Sequence, residues 1–444
     1  MTGPGEILLV SCYELGHAPL GAAWPLAFLE RAGFAPDAQD VSVESLDEGK
    51  VRRARVTAIS VPMHTALRLG LDVARRVRAI NPACRIAFFG LYAALHRDLL
   101  LREGAEVVLA GECEQTLVDW IAGRPPPAPV VRERLDFPVP SRARLPPPDR
   151  YAHLLHSGRE SPAGAVEASR GCRHRCRHCP IPAVYDGRFF VVPVEIVIED
   201  VRQQVAAGAA HVTFADPDFL NGPGHAMNVA RALHAEFPEV TFDVTVKVEH
   251  ILRNRGLFAE LRRLGCLFAV SAVESLSDIV LARLDKGHTR AEVFAALTVM
   301  TDAGIALRPS WLPFTPWSTM PDYLDMLRFV AAQDLVDHVD PVQFAIRLLV
   351  PPGSLLLQDP DLCGCPFDEQ QLTHVWVHPD ARMDRLHAEV SALVEDATRQ
   401  GEDAGQIFAR IWNLAHRMAG MEVDTPSRKP ARAPSPRLSE PWFC

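Results

Sequence analysis

The 444-residue chain reads as an α/β protein. A doubly wound parallel domain is followed by a partial (β/α)6 barrel and a helical C-terminal extension. Three observations lead there. Short apolar runs alternate with helix-period segments from residue 6 to about residue 123, and the alternation restarts at about residue 163. A proline-rich stretch, residues 124–150, separates the two series. Strands alternating with helices at this spacing make parallel sheets covered by helices.

The first series opens with EILLVSC (6–12), a buried-strand run. A helix pattern spans about 22–32 and stops at Gly33, a C-terminal cap. VTAISVP (56–62), RIAFFG (85–90) and EVVLAG (106–111) are the next strands, with helices near 65–80, 94–102 and from Glu114. The loops after these strands line the crevice of such a sheet. They carry Cys12 to His17, Pro62-Met63-His64, Gly90-Leu91-Tyr92 and Gly111-Glu112-Cys113-Glu114. RPPPAP and LPPPDR then favour extended backbone, which suits a linker.

The second series reads as strands GAVEAS, HVTFAD (211–216), TFDVTVKV (241–248), LFAVSAV (267–273), ALRPSWL (306–312) and VQFAIRLLV (342–350). Helices fall near 193–207, 225–236, 253–264, 277–284, 290–303 and 321–333. Functional groups of such a barrel sit at the carboxyl ends of its strands. Two charged helices, 381–399 and 404–419, close the globular part, and a Pro/Arg/Ser-rich tail follows from 424.

Net charge is −9, which argues against a nucleic-acid binder held by bulk electrostatics. No apolar run reaches the roughly 18 residues of a membrane span. The N-terminus enters a strand without a basic segment, so no signal peptide is expected. Ten cysteines, three of them clustered, suit a reducing, cytoplasmic compartment.

The cluster is the informative part. Residues 171–180 read GCRHRCRHCP and place Cys172, Cys176 and Cys179 in a C-x3-C-x2-C spacing. Three thiolates on one loop can hold one face of a four-iron cluster and leave the fourth iron open to chelate a small molecule. Arg173, Arg175 and Arg177 are interleaved, and positive charge favours thiolate. Zinc, completed by His174 or His178, is the alternative.

Several strand ends also carry polar groups. Asp216 and Asp218 follow the second strand, as ligand contacts or as turn and helix caps. Lys247 and Glu249 share one face of the third strand by period two, with His250 beyond. Charge on a barrel strand points to cofactor or substrate, with a structural ion pair as the alternative. Arg308 on the fifth strand and Arg347 on the sixth could grip a carboxylate, or form ion pairs at the rim. Trp311, Phe314 and Trp317 read as core. Cys363-Gly364-Cys365, with His374 and His378, is a candidate soft-metal or redox site, or else a solvent-side loop.

The cysteine spacing after a strand resembles the radical S-adenosylmethionine (SAM) superfamily. The resemblance implies a [4Fe-4S] cluster on Cys172, Cys176 and Cys179, whose open iron binds the amino and carboxylate groups of SAM. Reduction would then release a 5′-deoxyadenosyl radical. It implies SAM contacts from Asp216 and Asp218 and, at Ser271-Ala272-Val273-Glu274-Ser275, from Glu274 and Ser275. His178 stands where the superfamily usually has an aromatic residue, and its ring is expected near the adenine. An electron donor of flavodoxin or ferredoxin type and a small-molecule substrate follow, with no nucleic-acid or membrane partner.

GLYAAL followed by LAGECEQTL resembles the Rossmann-like cobalamin-binding domain that precedes the barrel in many radical enzymes. The D-x-H-x-x-G signature of a cobalt-ligating histidine is absent; the first loop reads CYELGHAPLG. Cobalamin stays open: bound without a lower histidine ligand, or replaced by another role. The organisation expected is 1–123 cobalamin-binding-like, 124–160 linker, 161–355 barrel, 356–423 helical extension and 424–444 flexible tail. HCPIPAVYDGRF, TFDVTVKVEH, VSAVESL, RLDKGHT and WLPFTPW together resemble the CUAEP/CCAEP-tail radical SAM proteins. Cys444 matches the first cysteine of that tail, and the resemblance implies a stop read at a selenocysteine codon. Aminocarboxypropyl transfer, for example to arsenic, and a non-catalytic metal or redox carrier are the rival functions.

Overall fold

The computed structural model describes residues 3–423 and 435–439. The first apolar runs build a six-stranded sheet from β1 (Ile7–Ser11), β2 (Asp37–Asp40), β3 (Val56–Ser60), β4 (Arg85–Phe89), β5 (Val107–Gly111) and β6 (Val130–Val131). Its order is β2-β1-β3-β4-β5-β6 and every pairing is parallel. Order reverses between β1 and β3, so the crevice lies at the carboxyl ends of those strands. β1 and β3 are buried at every position, which is why they read as unbroken apolar runs. β2 is too polar (DAQD) to show in the sequence; it is an edge strand whose buried Gln39 and Asp40 accept from the Asp47 N–H and the Ser42 N–H, each at 2.9 Å. β6 comes from the proline-rich segment, whose extended backbone adds to the free edge of β5.

The chain then forms a hairpin, β7 (His153–His156) with β8 (Arg159–Val166), and a clip, β9 (Ser169–Gly171) with β10 (Phe189–Val191). β11 (His211–Phe214), β12 (Thr241–Thr245), β13 (Cys266–Glu274) and β14 (Ala306–Trp311) continue in parallel from β8. Two more short strands, β15 (Phe367–Asp368) and β16 (Thr373–His374), form a small hairpin. β17 (Arg437–Leu438) closes the second sheet, ordered β14-β13-β12-β11-β8-β7-β17. Helices Val194–Ala206, Pro223–Glu236, Arg290–Ala303 and Met320–Ala332 cover its outer face, giving the curled, partial-barrel α/β fold that the alternation predicts. One apolar core runs from Trp24 and Phe28 of the first unit to Phe214, Phe242 and Trp311 of the second, so the two sheets share a packed boundary.

Four local expectations need correction. The sixth strand does not form: Pro341–Ala345 is a 3-10 helix, and only Arg347 bridges, to Phe314. Pro341 lacks the N–H that a strand would donate. The helix expected near 94–102 is two short ones, Leu91–Leu95 and Arg97–Arg102, broken at His96. The third strand stops at Thr245, and Val248–Arg253 is helical. Within the stretch read as a flexible tail, Arg437–Leu438 pairs antiparallel with β7, because β7 otherwise exposes an open edge. Residues 424–434 and 440–444, including Cys444, lie outside the described residues. Helices Ala381–Arg399 and Ala404–Met418 form the C-terminal extension, and Phe408 packs on Phe344.

Candidate active site

The cysteine loop is held at both ends. β9 leads in and β10 returns, with Gly171 opposite Phe189. Gly171 has φ +74°, and a Cβ there would meet the Arg188 carbonyl oxygen at 2.5 Å and the Tyr185 ring at 2.6 Å. Only glycine takes this turn without moving the backbone. Cys172 and Cys176 are buried and Cys179 half-buried, all as free thiols. Cys172 Sγ lies 3.7 Å from Asn221 Oδ1, which also accepts from the Arg173 N–H at 3.2 Å. Lys247 Nζ stands 3.6 Å from Cys176 Sγ. Burial pushes the Cys172 thiol up, and it pushes Cys179 up to about 12, with the neighbouring sulfurs adding to burial. A coordinated metal would deprotonate them outright. Three soft donors without a disulfide among them, beside an ammonium group, fit an anionic iron–sulfur cluster.

The interleaved arginines do not supply that charge. Arg173 lies over the Phe189 ring at 4.6 Å, Arg175 pairs with Asp186 at 2.8 Å and Arg177 with Asp359 at 3.3 Å. Their long side chains reach partners around the loop and turn from the sulfurs. Lysines from other elements take the place sequence reasoning gave to arginine. Lys247 precedes the helix Val248–Arg253, and Glu249 sits in its first turn; neither is on the strand where period two put them. The alternation Val246-Lys247-Val248 looks like a strand, but pairing with β13 ends at Thr245 opposite Val270.

β13 carries a register shift between Ala272 and Glu274, and Glu274 takes φ +65°. The bulge aims its carboxylate at Lys286 Nζ and His178 Nε2, each at 3.2 Å. Burial alone would raise this carboxyl; Lys286 and the His178 hydrogen bond outweigh it and hold Glu274 at about 2. His178 therefore joins the cluster loop to β13, where an adenine contact was expected. Ser275 accepts from the Ser277 N–H at 3.0 Å and shapes the turn before Asp278–Leu284. Lys286 is buried; it lies in the RLDKGHT stretch, where the resemblance pointed to a lysine and glycine after a helix but gave the lysine no partner.

Asp216 is buried and accepts from the Ala168 N–H at 2.8 Å and the Ser169 hydroxyl at 2.6 Å, tying β11 to the start of the cluster loop. Burial pushes its carboxyl up to about 7, against those two hydrogen bonds. Asp218 caps Leu220 N–H at 3.1 Å and lies 2.7 Å from His250 Nδ1. His250 in turn meets His174, between the first two cysteines, at 3.2 Å. Sequence reasoning singled out His174, Asp218 and His250 separately and missed that the fold brings them together.

Arg308 and Arg347 are not brought to the sulfurs. Arg308 donates to Asp340 at 3.0 Å and to the Asp337 carbonyl. Arg347 donates to Asp384 at 2.8 Å and stacks on Trp376. Both take the ion-pair alternative. The Cys363/Cys365 site does not assemble either: His374 faces the Cys365 carbonyl at 2.7 Å and His378 the Ser318 carbonyl at 2.7 Å.

Between the sheets, Arg170 donates to Glu114 at 2.6 Å and Glu167 at 2.9 Å and lies over the Trp24 and Phe137 rings. Tyr185 donates to Glu112 at 3.1 Å. Above this network is a cavity of about 320 Å3. It is lined by the carboxyl ends of β1, β3, β4 and β5 (Glu14, Ser60, Gly90, Cys113) and by Gly171 and Ile181 of the cluster loop. The N-terminal crevice thus opens onto the cysteine loop.

The model of the radical SAM superfamily matches residues 166–324, which contain the three cysteines, Lys247, Glu274 and Lys286. Residues 166–324 therefore carry a radical SAM domain. Among curated relatives of this chain is the hopanoid C-3 methylase of Methylococcus capsulatus. It is 26% identical over 325 residues, covering 67% of this chain and 61% of the relative. The ribosomal protein uS12 methylthiotransferase RimO of Porphyromonas gingivalis is 26% identical over 339 residues, 72% of this chain and 65% of the relative. The chain thus spans under two thirds of the length of these relatives. Two solved radical SAM enzymes share the fold. TsrM of Kitasatospora setae, solved with tryptophan and a SAM analogue, has TM-score 0.58, 16% identity and coverage of 74% of this chain and 71% of its own. The cobalamin-dependent OxsB, solved with aqua-cobalamin and SAM, has TM-score 0.57, 14% identity and coverage of 97% and 63%. No helix among the described residues is long and apolar enough to cross a membrane.

Proposed function

We propose that this radical SAM enzyme carries out methyl or related one-carbon transfer onto a small molecule. Cys172, Cys176 and Cys179 would hold a [4Fe-4S] cluster, and a cobalamin-class cofactor would occupy the crevice beside it. The observation that carries the reading is the position of the cavity. It joins the carboxyl ends of a parallel sheet with a reversed strand order to the loop bearing the three sulfurs. Residues 1–123 serve as the cofactor module and 161–355 as the barrel. The donor set fits the cluster. For a cobalamin-class ligand, Gly90 and Gly111 leave bare backbone at the crevice; Gly90 has φ +114°, and its Cβ would come within 3.0 Å of Val61.

Bound there, the cluster supplies the electron that splits a sulfur–carbon bond of SAM. The chain's own residues have separate tasks. Lys247 places positive charge beside Cys176 and offsets the negative charge of a sulfur-ligated cluster. Glu274, ionised through Lys286, offers a fixed acceptor to a ribose or an ammonium group. Asp216 fixes the strand end from which the loop departs. The packed boundary behind Trp24 and Arg170 keeps water out of the crevice floor. Within the superfamily we place the chain with the CUAEP/CCAEP-tail proteins, acting in the cytoplasm with a flavodoxin- or ferredoxin-type reductant.

Anaerobic reconstitution followed by chromatography of the SAM-derived products tests this. 5′-Deoxyadenosine with S-adenosylhomocysteine supports methyl transfer. Methylthioadenosine would replace it with aminocarboxypropyl transfer. A colourless protein holding stoichiometric zinc would refute the cluster itself.

A further inference from the structure

His174 from the cysteine loop, Asp218 from the segment after β11 and His250 from the helix Val248–Arg253 meet at one point. One donor atom from each lies within 4.8 Å of the other two. His174 Nε2 is 3.2 Å from His250 Nε2 and 3.9 Å from Asp218 Oδ2, and His250 Nδ1 is 2.7 Å from that oxygen. Asp218 has no exposed surface and His250 is 5% exposed. Asp218 Oδ2 and His250 Nδ1, though close, are misaligned, and neither makes a hydrogen bond. Buried polar atoms are nearly always satisfied, so a pair left unsatisfied at contact distance marks a missing third party. An ordinary histidine–aspartate hydrogen bond would have aligned the ring N–H on the carboxylate.

We propose that His174, Asp218 and His250 hold one divalent transition-metal ion, Fe2+ or Zn2+, distinct from the cluster on the cysteines. Metal–ligand bonds of about 2.1 Å in tetrahedral geometry separate donors by about 3.4 Å; here one donor atom from each residue lies within 4.8 Å of the other two, and Asp218 Oδ2 stands 3.9 Å from His174 Nε2 and 2.7 Å from His250 Nδ1, on either side of that value. Two imidazoles and one carboxylate are harder donors than thiolate and suit these ions. Three donors leave coordination positions open, so a substrate oxygen or nitrogen can bind next to the cysteine loop. Glu249 Oε2 stands 3.6 Å from His174 Nδ1, on the far side of the ring, and places negative charge behind the imidazole. The ligands come from three elements fixed by the barrel, so the fold brings them together before any ion arrives. The inference rests on this geometry and not on the methyl-transfer reading.

The test takes the full chain with its cluster reconstituted, strips loosely held metal and titrates it anaerobically with Co2+, followed by elemental analysis. The expected result is about one Co2+ per chain, displaced by Zn2+. His250→Gln and Asp218→Asn should each weaken uptake by about tenfold or more while iron per chain stays at the wild-type level. Should either variant also lose iron, His174→Gln gives the same readout from the loop side. Wild-type protein that takes up no Co2+, or variants that all bind it as tightly as wild type, would overturn the assignment.

Discussion

Lys247 Nζ sits 3.6 Å from Cys176 Sγ, although 71 residues separate them in the chain. The lysine precedes a helix that starts where β12 ends, so the barrel itself delivers the charge to the sulfur. A cation near the cluster favours the reduced, more negative state. Lys247→Met should keep the iron and lower the cluster potential by about 60 mV, equivalent to about 1.4 kcal/mol for one electron. Redox titration followed by electron paramagnetic resonance reads it; an unmoved potential would take Lys247 out of the cluster's surroundings.

Gly171→Ala puts a methyl group 2.5 Å from the Arg188 carbonyl, on a residue at φ +74°. Either the β9–β10 clip opens or the loop shifts. Iron per reconstituted chain should fall severalfold, and the variant should be less stable by at least about 1–2 kcal/mol from the backbone alone. Full iron loading in this variant would mean that the clip does not hold the loop.

Glu274 and Lys286 form a buried ion pair. Removing one partner strands the other, so Glu274→Gln should cost about 3–5 kcal/mol in urea unfolding. Glu274→Gln combined with Lys286→Met should cost less than the single change. Additive losses in a double-mutant cycle would show that the two residues act independently.

Asp216 supplies a pH dependence whose sign is set by burial. Its carboxyl is raised from 3.8 to about 7, so the folded chain holds a proton there that the unfolded chain has released. This stability is fully present below about pH 3.8 and is lost as pH rises through about 7. Between those limits the slope is about 1.4 kcal/mol per pH unit for one proton. Asp216→Asn should remove that slope from the wild-type-minus-variant stability curve measured from pH 4 to 8. Parallel curves would mean that the carboxyl titrates normally.

Much of the fold was legible in the amino-acid pattern. β1, β3, β4 and β5 are buried on both faces and so appear as apolar runs; β2 is polar and pairs only because β1 offers an edge. The sixth barrel strand looked as good as the others by composition, yet VQFAIRLLV meets Phe314 at one bridge, since Pro341 opens a 3-10 turn before it. The local pattern could not rank Lys247 above Arg173, Arg175 and Arg177, because side-chain direction depends on where a strand stops.

The sequence by itself determined the alternation of strands and helices and the three closely spaced cysteines, because both are local properties of period and spacing. Only the tertiary structure decided which charges surround the sulfurs. Lys247, Glu274, Lys286 and the His174–Asp218–His250 cluster are drawn from separate strand ends. Their approach is set by barrel curvature, by the bulge at Glu274 and by burial, none of which is written in neighbouring residues.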